Sequence, residues 1–148
     1  MAKKIFTAFA LFALFATIGI VYGADANQMK YVQILAPTAS LSTTGTVVDV
    51  AAYKGNATVA VQISPSAIAS TARVTVAHAN ATTGTWVTVT NAAGTALVVT
   101  QVGPATNAVQ TIPIDLARMR KYVRVVLTQS GEDTNAVSAI LIAPMKSE

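Results

Sequence analysis

The side chains that could do chemistry in this chain are few and scattered: one histidine, His78, six carboxylates, and no cysteine. An imidazole titrates near neutral pH and can serve as a general base. His78, however, sits in ARVTVAHA, where a strand would put it on one face with Val74 and Val76. It therefore reads as a partly buried strand residue with its nitrogens hydrogen-bonded. No G-x-S-x-G elbow accompanies it. Without cysteine there is no disulfide framework and no thiolate nucleophile, and a lone histidine cannot build a histidine-rich zinc site. Neither G-x-x-x-x-G-K nor G-x-G-x-x-G is present to cradle a phosphate. Asp49 and Asp115 are isolated, and Glu132 and Asp133 lie in QSGEDTN, an oxygen-rich stretch that lacks the alternating Asp spacing of a calcium loop and reads as a polar turn. These residues predict no enzyme, cofactor or metal site.

The cationic residues are less scattered. DLARMRKYVRVVLT, residues 115–128, holds Arg118, Arg120, Lys121 and Arg124, four of the chain's ten Lys and Arg. A strand beginning near Arg120 would put Arg120, Tyr122 and Arg124 on one face and Val123, Val125 and Leu127 on the other. A guanidinium would then stand on each side of the tyrosine ring, with Arg118 and Lys121 close by. Such a stripe suits a solvated outer face, or a subunit contact in which Arg forks hold a neighbour's carboxylates. Nucleic acid is the weaker partner: the formal charge is +4, and from Asn27 onward eight basic residues against five acidic leave +3. That is no dense basic field, so no specific nucleic-acid binding is expected.

The elements that must position this stripe are strands. Apolar residues make up 53% of the 148 but aromatics only 6%, so the apolar content is mostly Ala and Val on a Thr-rich background. That favours β structure. Short segments recur between Gly, Pro, Asn, Ser and Thr: 31–36, 46–50, 58–63, 73–79, 85–90, 96–102, 109–114, 121–129 and 137–143. They predict an all-β antiparallel β-sandwich or jelly roll of about eight or nine short strands. Val59, Val61 and Ile63 should share a face opposite Thr58, Ala60 and Gln62, and Val87 and Val89 one opposite Trp86, Thr88 and Thr90. TALVVTQV and AVSAILIA are apolar on both faces, which suits a central strand or one covered by a neighbouring subunit. Pro113 cannot donate to a ladder, so its strand should be an edge or carry a bulge. The single helical turn expected in the body is Leu116 to Arg120, with Asp115 as its N-cap.

Residues 1–26 form a separate unit ahead of the sandwich domain, 27–148. Lys3 and Lys4, an apolar run from Ile5 to Tyr22, and Ala24-Asp25-Ala26 follow the pattern of a secretory signal peptide. The same run, an apolar helix about 18 residues long, also suits a membrane anchor, helped by the spacing of Gly19 and Gly23, or an arm packed on other subunits. Membrane contact, if made, would be through residues 5–22.

Four segments occur in order: ILAPTASLSTTGTVVDVAAYKGNATVAVQI, GTWVTVT, AVQTIPIDLARMRKYVRVVLTQSG and a final apolar strand. This order resembles a family of small virion structural proteins of tailed bacteriophages, over roughly Ile34 to Ala143. The resemblance implies a β-sandwich that attaches to a capsid or other virion surface as a decoration or minor capsid protein, without enzyme activity. It implies that Asp49, Tyr53 and Gly55 form an early strand and turn, Trp86 a central strand, and Asp115 to Arg124 a cap and strand. The expected subunit-interface residues are Arg118, Arg120, Lys121, Tyr122, Arg124 and Trp86, and the expected partners are copies of the chain, as a homo-oligomer, and a major capsid or other virion protein. Such phage proteins begin close to the L-x-A-P segment, whereas this chain carries the apolar N-terminus. The alternative is therefore an exported bacterial surface or filament-forming subunit assembled through strand edges. The corresponding locations are the virion, or the cell surface and exterior if the N-terminus is cleaved.

Overall fold

Val, Thr and Ile at alternating positions give strands with one face of apolar side chains, and two such faces close on each other. A computed structural model describes residues 29–64, 70–102, 108–131 and 134–146. The expected N-terminal helix, with its signal-peptide or anchor readings, and Glu132 and Asp133 of the QSGEDTN loop lie outside the described residues. Among the described residues there are ten strands: β1 (Met29–Thr38), β2 (Ser42–Thr44), β3 (Val48–Asp49), β4 (Asn56–Ile63), β5 (Thr71–Ala79), β6 (Val87–Thr88), β7 (Val98–Val102), β8 (Ala108–Asp115), β9 (Tyr122–Ser130) and β10 (Val137–Pro144).

They form two antiparallel sheets, as the sandwich reading expects. Sheet I runs β1-β10-β4-β8; in sheet II, β9 and β5 lie side by side, with β2 and β3 sharing the outer edge of β9, and β6 and β7 that of β5. The core lies between them. Val59, Val61, Ile63, Leu141, Val125 and Leu127 are all at 0% exposure, and burying each such side chain contributes roughly 1.5–3 kcal/mol.

Several local expectations hold. Among the described residues β8 is an edge strand, paired only with β4, so Pro113 withholds no hydrogen bond from a second neighbour. β10 is central, between β1 and β4. The helical turn is a 3-10 turn, Leu116–Arg118, two residues shorter than expected, with the Asp115 carboxylate accepting from the Ala117 N–H at 3.0 Å.

Other expectations are corrected. Of the two readings of TALVVTQV, the central strand does not hold: β7 lies at an edge beside β5, with Val98 38% exposed. The 46–50 strand shrinks to β3, and the unforeseen β2 precedes it on the same edge. Gly45 separates the two. Its N–H donates to the Val125 carbonyl at 2.9 Å, and its Cα lies so close to the Ile34 carbonyl that a Cβ would collide with it. The 85–90 strand shrinks to β6, with Thr90 bridging Ala96. There Asn91 turns the chain, its side-chain oxygen accepting from the N–H groups of Ala93 and Thr95 at 3.0 and 2.9 Å. Val89 is buried as alternation requires, but Val87 is 40% exposed at the sheet margin. Trp86 precedes this two-residue edge strand and is not in a central one.

The far end of the sandwich is closed by a polar cluster. The Gln129 amide donates to the carbonyls of Ser40 and Asn135, both at 2.9 Å, and its oxygen accepts from the Asn135 N–H at 2.7 Å. Asn135 donates from its side chain to Ser70 Oγ at 3.0 Å. Each of these bonds satisfies a group that would otherwise be buried at a cost of about 1–3 kcal/mol.

A candidate docking surface at the basic end

At the opposite end three short segments come together, each shaped by local chemistry. The turn after β3 is opened by Asp49, whose carboxylate accepts from the Ala51 N–H at 2.9 Å, and is closed by Gly55 at φ 66. The 3-10 turn after β8 is anchored by the Leu116 N–H donating to the Gly55 carbonyl at 2.9 Å. The tail after β10 zips onto the first turn: Lys54 N–H donates to the Pro144 carbonyl and Lys146 N–H to that of Ala52, both at 3.0 Å, and Tyr53 bridges Met145. Asp49 and Asp115 thus serve as turn and cap acceptors, consistent with their isolation in the sequence.

Between these segments lies a pocket of about 290 Å3, with apolar walls from Val50, Tyr53, Leu116 and Met119. Lys54, Arg120, Lys121 and Lys146 also line it, and among the described residues no carboxylate does. Lys146 Nζ is fixed by donating to the Ala51 carbonyl at 2.6 Å. Lys121 Nζ stands 3.6 Å from Asp49, in an exposed pair of little energetic weight. Its ammonium is held above its usual range by hydrogen bonding and attraction to Tyr122, and then by Asp49, so it stays charged at neutral pH. A concave site with several cations and no acid among its described lining residues suits carboxylates or other anions from outside.

His78 positions this rim. It lies on the inward side of β5 with Val74 and Val76, and its Nδ1 accepts from the Arg120 N–H at 3.1 Å, which leaves the ring proton on Nε2. Burial and then the charge of Arg120 lower its pKa, so at neutral pH it is the neutral acceptor that this bond needs.

The cationic stripe is divided by the fold. Val123, Val125 and Leu127 point into the core at 0% exposure, and Tyr122 and Arg124 point outward, as alternation predicts. Arg120, however, precedes β9 and joins the pocket. Tyr122 is therefore not flanked by two guanidiniums; its cation is Lys121, 5.0 Å from the ring centroid. Arg124 instead stacks on Trp86 at 4.1 Å. The cross-strand neighbour of Arg124 is Ala77, whose small side chain leaves room for the indole. Arg118 pairs with Asp115 at 3.4 Å, an exposed contact within one turn. The six expected interface residues therefore fall into two neighbouring groups: Arg120 and Lys121 at the pocket, and Arg124, Trp86 and Tyr122 on the outer face of sheet II, with Arg118 beside the cap.

Sequence reasoning missed Lys54, Lys146, Tyr53 and Met119 as members of this site. No local pattern announces them, because they meet only through the pairing of the tail with the first turn. Among the described residues no three His, Asp or Glu side chains are grouped to hold a metal, and no helix is long and apolar enough to cross a membrane. Compared with known proteins, the chain matches no family model and no curated protein.

Proposed function

We propose that the chain is a non-enzymatic structural subunit of a virion, a capsid decoration or minor capsid protein. It docks on a protein lattice through its basic end and associates with further copies of itself. The observation that carries the docking role is the pocket itself: Arg120, Lys121 and Lys146 around an apolar floor, with no acid among its described lining residues. A neighbouring protein's acidic side chain or chain terminus fits there, and the stacked Arg124–Trp86 pair beside it offers the Arg and aromatic chemistry enriched at interfaces. The virion assignment rests on the ordered motifs from Ile34 to Ala143. The test is particle binding by the double variant Arg120→Glu with Arg124→Glu. Retained β-sheet circular dichroism with binding weakened about tenfold or more is expected; unchanged binding removes the surface from the assembly role.

A second reading, an exported surface or filament subunit, is favoured by β1, ten residues long and, among the described residues, paired on one side only. Such an edge can accept a strand from another copy. Intact mass and location in the native source separate the two: copies in purified virions support the first, and copies on the cell surface starting near Asn27 support the second.

A further inference from the structure

The segment from Leu116 to Lys121 is fixed at both ends by bonds that do not titrate: the Leu116 N–H donates to the Gly55 carbonyl and the Val50 N–H to the Lys121 carbonyl, both at 2.9 Å. Between these anchors it is tied to β5 through a side chain that does titrate, His78, whose Nδ1 accepts from the Arg120 N–H at 3.1 Å. An imidazolium carries a proton on each nitrogen and offers no acceptor. Protonation therefore sets an N–H against the N–H of Arg120 and a positive charge beside its guanidinium. Leu116, Ala117, Met119, Arg120 and Lys121 of this segment line the pocket, so whatever frees Arg120 reshapes the rim.

We propose that the His78–Arg120 bond is a pH-sensitive latch on the basic end: protonation of the imidazole breaks it and moves Met119 to Lys121 off the rim while the sandwich stays folded. The inference rests on the docking role and adds its regulation. The surroundings of the ring suit such a latch. The residues opposite His78 on β9 and β6 are Val123 and Val87, both uncharged. Tyr122 and Arg124 of β9 and Arg73 of β5 lie on the outer face, away from the inward ring. The charge that acts on the imidazole is that of Arg120, which together with burial lowers its pKa from 6.5. The latch is thus closed above about 6.5 and opens as pH falls through the lowered value. Asp49 and Asp115 are the other titratable acceptors at this end, holding the N–H groups of Ala51 and Ala117. A substitution at His78 leaves both in place, so their titration is separable from that of the ring.

The test is a pH titration of the full-length chain from 7 to 5, followed by nuclear magnetic resonance of the His78 ring nitrogens and the backbone amides, with and without an oligoglutamate peptide as the anionic probe. The Arg120 amide is expected to shift with the midpoint of the imidazole while the amides of Val74 and Leu141 in the core stay in place. The affinity for the peptide should fall about fivefold or more over the same window. His78→Asn sets a side-chain oxygen near the place of Nδ1 with no titrating group, and should hold both readouts constant; His78→Gln takes its place should that variant not fold. An Arg120 amide indifferent to imidazole protonation overturns the latch, as does an affinity that falls equally in wild type and His78→Asn. Core amides that shift together with Arg120 also overturn it, because the event is then unfolding of the sandwich. A peptide that does not bind at pH 7 removes the anion-docking role instead, and the Arg120 amide decides the latch in either case.

Discussion

The outward positions of β1, β10, β4 and β8 carry one charge, Asp115 at the very end of β8, whereas the outer face of sheet II carries Asp49, Arg73 and Arg124 together with Tyr122 and Trp86. The inner faces of the two sheets are built alike, from alternating Val, Ile, Leu and Ala, and are equally buried. Inward periodicity alone therefore does not distinguish the sheets. The outward residues do: the face of sheet II is rich in charged and aromatic side chains, while the two central strands of sheet I, β4 and β10, hold Ala60, Gln62 and Ser138 at 2%, 6% and 5% exposure between exposed edge residues such as Tyr31.

The largest expected effect comes where the sheets meet at one margin. Gly45→Ala places a Cβ against the Ile34 carbonyl and Val125 Cγ2, which are backbone and core and cannot yield cheaply. A loss of about 3 kcal/mol in urea unfolding is expected, and a change under about 0.5 kcal/mol would show that β2 and β3 do not approach β1 as described. The next variant separates the faces directly. Ile140→Lys on sheet I should cost about 2 kcal/mol and Val126→Lys on sheet II about 0.5 or less; equal costs would erase the contrast. On sheet II, Trp86→Ala removes the stacking partner of Arg124 and should cost about 1 kcal/mol, with the Trp86→Phe variant recovering part of it.

The smallest effect is a pH dependence. His78 has a pKa lowered from 6.5 in the folded chain, so the unfolded chain takes up its proton first as pH falls. The stability from neutral His78 is complete above about 6.5 and is lost as pH falls through the folded pKa. The wild type should therefore lose stability over this window relative to His78→Ala, whose curve should be flatter; parallel curves from pH 7 to 5 would show that burial beside Arg120 does not hold the imidazole neutral.

Much of the sandwich was legible in the sequence because its signals are local. The period of two in β4, β5 and β9 places Val59, Val74 and Val125 inward whatever their partners are. Pro113 lacks a donor, so it marks an edge, and Asp115 stands where a turn's free N–H groups need an acceptor. His78 was readable as a hydrogen-bonded strand residue, but its partner, the N–H of Arg120, is 42 positions away and was not.

Tertiary structure decided what depends on pairing between distant segments. Arg120 leaves the Tyr122 and Arg124 face because β9 begins only at Tyr122, and the turn ahead of it is held by His78 and Gly55. Lys54 and Lys146, more than ninety positions apart, line one pocket because the tail after β10 closes on the turn after β3. Trp86 finds Arg124 across β5, where an alanine leaves space. The sequence by itself determined which side of each strand meets the core, since alternation is a property of a single strand. Which cations share a site was left to the register between strands, which no single segment encodes.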